Sequence, residues 1–377
     1  MTTTPHIVVL GAGYTGLTAA KLLARRTGAH VTLVNNRDWF VERMRNHQRA
    51  AGRQLRHMPL DDLLRGTGIA LIIDQVTRID TVRRQVELAG RAEPIGYQLL
   101  IYALGSHADL DTVPGAAEHA NAVATAEQAT RLRDRVRTAN TVAVVGAGPT
   151  GIETVTELAE TYPDRTVRLV TSGALGEALS ERGREYLHGA FDRLGIQVWE
   201  HAKVANVDAD GLLLAGGEHV GADAVAWTTG FKVPELARQA GLSVDDRGRM
   251  LVDGTLRSES HPDVYGIGDA AAAHTQDGQV LRMGCGPGGL AAACALHAIT
   301  ERLAGRTPKP LRVKFDALCM SLGRRDGILQ PTDLDGSPRG KVYTGRPVAM
   351  MKKAVLRATG WYNLRYPVLT VVGARQG

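Results

Sequence analysis

Two short stretches of this chain carry residue types and spacings suited to one particular job. Residues 8–17 read VVLGAGYTGL and residues 144–153 read VVGAGPTGIE. Each is an apolar run that ends in G-x-G-x-x-G, with Gly11, Gly13 and Gly16 in the first and Gly146, Gly148 and Gly151 in the second. The first glycine of such a turn permits a tight bend. The second lets the backbone approach a pyrophosphate, and the third lets the following helix pack on the strand. Free N–H groups at the helix start then hold the phosphate charge. Tyr14 and Thr15, and Pro149 and Thr150, sit inside the two turns and share their contacts. A single turn of this kind is weak evidence. Two of them, each between a strand and a helix, imply two dinucleotide sites in one chain.

The elements that must hold these turns follow from hydrophobic pattern. Residues Ile7 to Leu10 and Val142 to Val145 read as buried strands, followed by helices over Leu17 to Arg26 and Ile152 to Glu160. Strands are expected over Val31 to Val34 and Leu99 to Ala103. Ile69 to Asp74, Val76 to Ile79 and Gln85 to Leu88 alternate like strands of a small sheet. A helix near Thr125 to Arg137 leads into the second turn, and another spans about Ser180 to Leu194. Strands are also read at Val167 to Thr171, Ile196 to Trp199, Val204 to Val207 and Ala224 to Gly230, with a helix near Gly289 to Ala304. The segments LIYALGS at 100–106 and VAWTTGF at 225–231 are alike, so the duplication reaches the exits of both units. Ala103, Gly105 and Gly230 in those exits join the candidate nucleotide contacts.

Composition narrows the class. The chain has 377 residues, 44% hydrophobic, and no apolar run near the ~20 residues that span a membrane. The N-terminus enters a strand almost at once, without a secretion signal. The three cysteines, Cys285, Cys294 and Cys319, form no C-x-x-C, which argues against a disulfide scaffold or zinc ribbon and suits a reducing cytoplasm. All three read as small buried hydrophobes. Charge is unevenly placed: residues 301–377 hold 15 Lys and Arg against 5 Asp and Glu, while residues 1–300 are net −4. A basic element of this kind favours anionic lipid or acidic partners. No nucleic-acid signature accompanies it.

The layout resembles the flavoproteins with two dinucleotide-binding domains, the pyridine nucleotide-dependent oxidoreductases. The residues that carry the resemblance are the two glycine turns, Glu153, the two strand exits, and VYGIGDAAA at 264–272. It implies an α/β fold with two Rossmann-like domains, the NAD(P)-binding one inserted into the FAD-binding one, plus a small C-terminal region. The implied boundaries are 1–110 and 231–305 for the FAD domain, 111–230 for the NAD(P)H domain and 306–377 for the basic C-terminal region. FAD would lie on the first turn and NADH or NADPH on the second. Gly268 and Asp269 would hold the ribityl and phosphate region of the flavin. Within the family the chain looks most like the type II NADH dehydrogenases, which pass electrons to a quinone. It lacks the redox cysteines of the disulfide reductases, peroxidases and oxidases. Where ferredoxin-reductase relatives carry Arg-Pro-Pro-Leu, it reads VERMRNHQRAAGR at 41–53, and CMSLGRRDGILQ at 319–330 resembles the dehydrogenase branch. A soluble flavoenzyme acting on a small biosynthetic substrate, or a flavin-binding redox sensor, is the competing reading.

Two departures from the family stand out. An acidic residue normally grips the adenosine ribose of FAD after the second strand, and here Asn35 stands there, with Arg37 and Arg43 as further FAD contacts. Asn35 as the cap of a turn is the alternative. In the second unit the acid expected for NADH is replaced by Thr171 and Ser172. Arg182 or Arg184 could meet the 2′-phosphate of NADPH, so the choice of nucleotide stays open. By resemblance Glu153 is the catalytic acid beside nicotinamide and flavin. The competing role is a first-turn Glu favourable to the helix dipole. Gly286 and Pro287, in the loop before the last helix of the FAD domain, allow backbone close to the flavin, and His297 is read as packing. At the end, Pro347 and Gly360 punctuate a helix with Val348, Met351 and Val355 on one face and Lys352, Lys353 and Arg357 snorkelling outward. Trp361, Tyr362 and Tyr366 follow. This element is expected either to rest on anionic lipid or to pack on the body or on a second copy in a homodimer.

Overall fold

The computed structural model describes residues 4–313 and 316–358, with only the backbone of Cys285. Its first sheet has five parallel strands in the order Val264–Gly266, Leu99–Tyr102, His6–Leu10, His30–Asn35 and Ala70–Ile73. Its second has Gln197–Trp199, Thr166–Val170, Thr141–Val145, Ala224–Trp227 and Ala120–Ala122, again all parallel. In each, the strand that runs into a glycine turn lies at the centre. The central strands are continuous Val, Ile, Leu and Ala, because both faces of a parallel sheet are covered. Ile7 to Leu10 and Val142 to Val144 are at most 1% exposed.

The first sheet is completed from afar. Its strand Val264–Gly266 pairs with Leu99–Tyr102, after the whole second unit has intervened. The helix Tyr14–Thr27 that follows the first turn packs against the long helix Cys285–Leu303. Residues of both halves share one apolar core, among them Leu17, Leu23, Tyr265, Ala295 and Ile299.

Two details differ from the sequence expectations, and a third bears on a choice the sequence leaves open. Ala70–Ile73 joins the parallel sheet as its edge, while Gln85–Leu88 pairs with Val76–Asp80 on one side and Arg91–Gly96 on the other in a separate antiparallel sheet. The strand Arg91–Gly96 carries Pro94 and little apolar pattern, which hid it. The last helix of the first unit begins at Cys285, so Gly286 and Pro287 lie in its first turn instead of in a loop. A proline is tolerated there because first-turn N–H groups have no helical partner. Finally, the basic C-terminal region is built into the body. The hairpin Asp316–Ser321 and Gly327–Thr332 packs on the second glycine helix, Pro149–Thr161, with Met320, Leu322 and Ile328 in that unit's core.

The third glycine of each turn shows why the residue type is required. A Cβ on Gly16 would lie 1.9 Å from the Gly11 carbonyl oxygen, and one on Gly151 would lie 1.8 Å from that of Gly146. Helix and strand meet without room for a methyl group. Gly16→Ala and Gly151→Ala are therefore expected to cost about 1–3 kcal/mol or more from overpacking, read as a lower melting temperature by calorimetry, whether or not nucleotide is present.

Candidate active site

One cleft of about 1700 Å³ runs along the carboxyl ends of both sheets. At one end it is walled by the first turn, through Gly11, Gly13, Tyr14 and Thr15, and by Ala103 and Gly105. At the other it is walled by the start of the second glycine helix, through Pro149, Thr150 and Glu153, and by Gly230. Gly16 and Gly151 are packing positions and do not line it, nor do Gly146, Gly148 and Pro287. The second glycines are the open ones: nothing lies within 4 Å of a Cβ built on Gly13 or Gly148. Each turn thus leaves a bare backbone surface beside a helix start, where a pyrophosphate fits.

Asp269 is fixed at the middle of the first half. Its Oδ2 accepts from Ser106 Oγ at 2.7 Å and its Oδ1 from the Gly284 N–H at 3.0 Å. Arg43 donates to the Ser106 carbonyl at 2.5 Å and to Ser106 Oγ at 3.0 Å, and lies over the Phe231 ring. Burial lowers the Arg43 pKa, and the Asp269 charge opposes that shift. Gly268 stands against Thr15 of the turn. Asn35 is already committed: its Oδ1 accepts from the Ala12 N–H at 2.9 Å and its amide donates to the Arg37 carbonyl at 2.8 Å. The turn-capping alternative accounts for both bonds. Arg37 pairs with Glu127 at 3.2 Å.

Glu153 occupies the centre of the cleft's other half, 9% exposed. It accepts from the Ser321 N–H and Oγ, both at 2.9 Å, and forms an ion pair with Lys352. Lys352 also donates to the Cys319 carbonyl at 2.9 Å, and His47 Nδ1 lies 3.8 Å from Glu153. Burial pulls the Lys352 ammonium down to about 7. Burial, with the Lys352 charge second, pulls His47 down to about 3, so the imidazole is neutral. The Nε2 of His47 and the Nε1 of Trp227 are buried without a partner among the described residues, and both side chains belong to cleft-lining residues. Bare glycine surfaces, unpartnered ring nitrogens and the cleft volume together fit a flavin and a nicotinamide nucleotide.

Ser106, His47, Ser321 and Lys352 were not singled out as site residues from sequence. Lys352 was expected to snorkel outward and instead turns inward, because Glu153, some 200 positions earlier, offers a buried charge to meet. No local pattern announces such a pair. His297, expected to pack, is exposed at the cleft. Cys294 is partly buried, with its thiol pushed up to about 12 by burial, and is therefore no thiolate nucleophile.

Comparison with known proteins agrees with this geometry. The sequence matches the pyridine nucleotide-disulphide oxidoreductase family over residues 5–283. The chain belongs to that family. An NADH dehydrogenase-like protein of Mycobacterium tuberculosis is 29% identical over 377 residues, covering 93% of this chain and 92% of that one. A type II NADH:quinone oxidoreductase of Staphylococcus haemolyticus is 24% identical over 392 residues, covering 93% of each chain. The solved sulfide:quinone oxidoreductase of Aquifex aeolicus superposes with a TM-score of 0.83 at 18% identity, covering 96% of this chain and 92% of that one, a likeness of fold. The family uses FAD and NAD(P)H.

The two open glycines separate the two nucleotides experimentally. Gly13→Val is expected to yield folded protein that has lost its yellow flavin. Gly148→Val is expected to keep the flavin spectrum and lose rapid anaerobic bleaching by NAD(P)H in stopped flow. Glu153→Ala strands the Lys352 ammonium in a buried site and should cost about 3 kcal/mol, more than Glu153→Gln combined with Lys352→Met. Denaturant titration of the variants checks that order.

Proposed function

We propose that this protein is an NAD(P)H:quinone oxidoreductase in which FAD lies on the first glycine turn and the nicotinamide nucleotide on the second. The FAD-binding domain comprises residues 1–110 and 231–305 and the NAD(P)H domain residues 111–230. The observation that carries the reading is the continuity of one cleft. It runs from the first turn to Pro149 and Thr150 at the start of the second glycine helix and continues past Glu153 and Lys352 to Leu318, Met351, Val355 and Leu356. Met351 is 40% and Val355 54% exposed, so this wall reaches the surface with an apolar lip. A flat, apolar acceptor suits such a passage.

Held on the first turn and by Asp269, FAD would supply the capacity to accept a hydride and to pass electrons on one or two at a time. The protein supplies position and charge. Asp269, fixed by Ser106 and Gly284, orients the ribityl side. The helix Cys285–Leu303 points its N-terminus into the cleft, where its dipole stabilises negative charge. Glu153 stands beside the start of the second glycine helix, where the nicotinamide must lie. Reducing a quinone to its quinol consumes two electrons and two protons. NAD(P)H brings the electron pair with one proton, and the second comes from solvent. Lys352, with a pKa near neutrality, is placed to hand on that proton at Nζ.

The C-terminal helix Arg346–Arg357 rests on the membrane in this reading, at the inner, anionic face. Val348 and Ala349 pack inward, while Met350, at 69% exposed, joins Met351 and Val355 outside. Lys353 and Arg357 supply charge beside them. No helix among the described residues is long and apolar enough to cross a membrane. The aromatic Trp361, Tyr362 and Tyr366 lie outside the described residues.

Under anaerobic conditions NAD(P)H should bleach the flavin, and a short-chain quinone should restore its colour faster than ferricyanide-free buffer or small disulfides do. Failure of any quinone to reoxidise it would exclude this acceptor class. The reoxidation rate should fall as pH rises through about 7, where the Lys352 ammonium is lost. Lys352→Arg should remove that limb and Lys352→Met should slow the step at every pH. The protein should co-sediment with anionic vesicles at low salt and release at high salt, at about 1 kcal/mol per basic residue near the surface. Met350→Glu with Val355→Glu should abolish it.

A further inference from the structure

We infer that the nicotinamide-nucleotide site selects NADH over NADPH, and that it does so with Glu200 and Glu177, carboxylates brought to the ribose from outside the strand that normally carries one. This rests on the reading of Gly146 to Gly151 as the nucleotide turn.

In a dinucleotide-binding unit the adenosine ribose lies at the tip of the second strand, where an acid accepts from its 2′-hydroxyl or an arginine meets a 2′-phosphate. Here that strand is Thr166–Val170, and its tip, Thr171 to Gly173, bears no charge. The neighbouring strand supplies what is missing. Val170 pairs with Trp199, so Thr171 and Glu200 leave the sheet side by side. The two exits are laced together: the Thr171 N–H donates to the Trp199 carbonyl at 2.9 Å, Ala202 N–H to the Thr171 carbonyl at 2.8 Å, and His201 N–H to the Gly173 carbonyl at 3.2 Å. Glu200 Oε1 accepts from the Leu175 N–H at 2.5 Å, which folds its carboxylate over the loop. Its Oε2 makes no hydrogen bond among the described residues, leaving an acceptor for a ribose hydroxyl. From the other side Glu177 lies over Gly173, close enough that a Cβ there would meet its Oε2 at 2.6 Å.

Two exposed carboxylates therefore flank the uncharged strand tip. A 2′-hydroxyl can donate to either. A 2′-phosphate would add nearly two negative charges beside them, with no compensating hydrogen bond, since a carboxylate only accepts. The arginines that could oppose this, Arg182 and Arg184, are exposed on the helix Glu181–Arg193, beyond its Ser180 cap. Arg184 lays its side-chain carbons against Gly176. Selection by repulsion of the wrong nucleotide is a general route to specificity.

The test is anaerobic stopped-flow bleaching of the flavin-loaded protein by NADH and by NADPH, at low and high salt. Wild type should favour NADH in efficiency by about tenfold or more, and salt should narrow the gap by screening the phosphate repulsion. Glutamine preserves the Glu200 bond to Leu175, so Glu200→Gln with Glu177→Gln should fold normally. That variant should raise the KM for NADH and lower it for NADPH, closing the ratio by about tenfold. Opposite movement of the two constants distinguishes a selectivity role from simple damage. Equal or better use of NADPH by wild type, or a ratio unmoved in the double variant, would overturn the inference while leaving the nucleotide turn in place. So would loss of NADPH use in Arg182→Ala with Arg184→Ala. If neither nucleotide bleaches the wild-type flavin, the assignment of the turn itself fails.

Discussion

The buried ion pair between Glu153 and Lys352 is the contact on which the cleft's shape depends. A carboxylate in the first turns of a helix and an ammonium from the C-terminal helix are both taken out of water, a costly arrangement unless charge and hydrogen bonds are matched. Here they are: Ser321 gives Glu153 two hydrogen bonds and the Cys319 carbonyl takes one from Lys352. Through this knot the hairpin and the C-terminal helix are held against the second glycine helix, and the cleft acquires its third wall. The same knot leaves an ionisable amine, lowered by burial to about 7, in the wall of the cleft.

The two glycine turns are built alike, and the strand tips beyond them are built differently. The glycine turns superimpose in logic, with a forbidden Cβ at Gly16 and Gly151 and an open one at Gly13 and Gly148. Beyond the turns they diverge. Asn35 turns back to cap the Ala12 N–H, so the first strand's tip organises the loop itself. In the second unit the tip is laced to the exit of the neighbouring strand, which carries Glu200.

Much of this was legible from the amino acids. The buried strands and the two turns are local patterns, enforced by sterics within ten residues of each other, so their spacing alone specifies them. Asp269 and the strand exits were legible by resemblance. What escaped were contacts made by sequence-distant groups. Lys352 has the surroundings of a surface lysine on an amphipathic helix, and only the fold shows that Glu153 lies beneath it. Ser106 became visible only as the link between Arg43 and Asp269. Pro94 disguised a strand, since proline in a short edge position is read as a break.

The return of Val264–Gly266 to the first sheet also has a temporal side. During synthesis the first unit emerges with Leu99–Tyr102 as an exposed parallel edge, and its partner strand follows only after residues 103–263. The second sheet, by contrast, draws all five strands from residues 120–199 and 224–227, so it can close while the first is still incomplete. Loop length itself adds little, about 0.6 kcal/mol per doubling. An inserted unit that has already folded shortens the effective loop further by holding its own ends, Ala108 and Phe231, in one ribbon. The late-translated half thus acts as a clamp that brings the missing strand to an early-translated sheet, and an unclosed edge is the hazard the nascent chain carries until then.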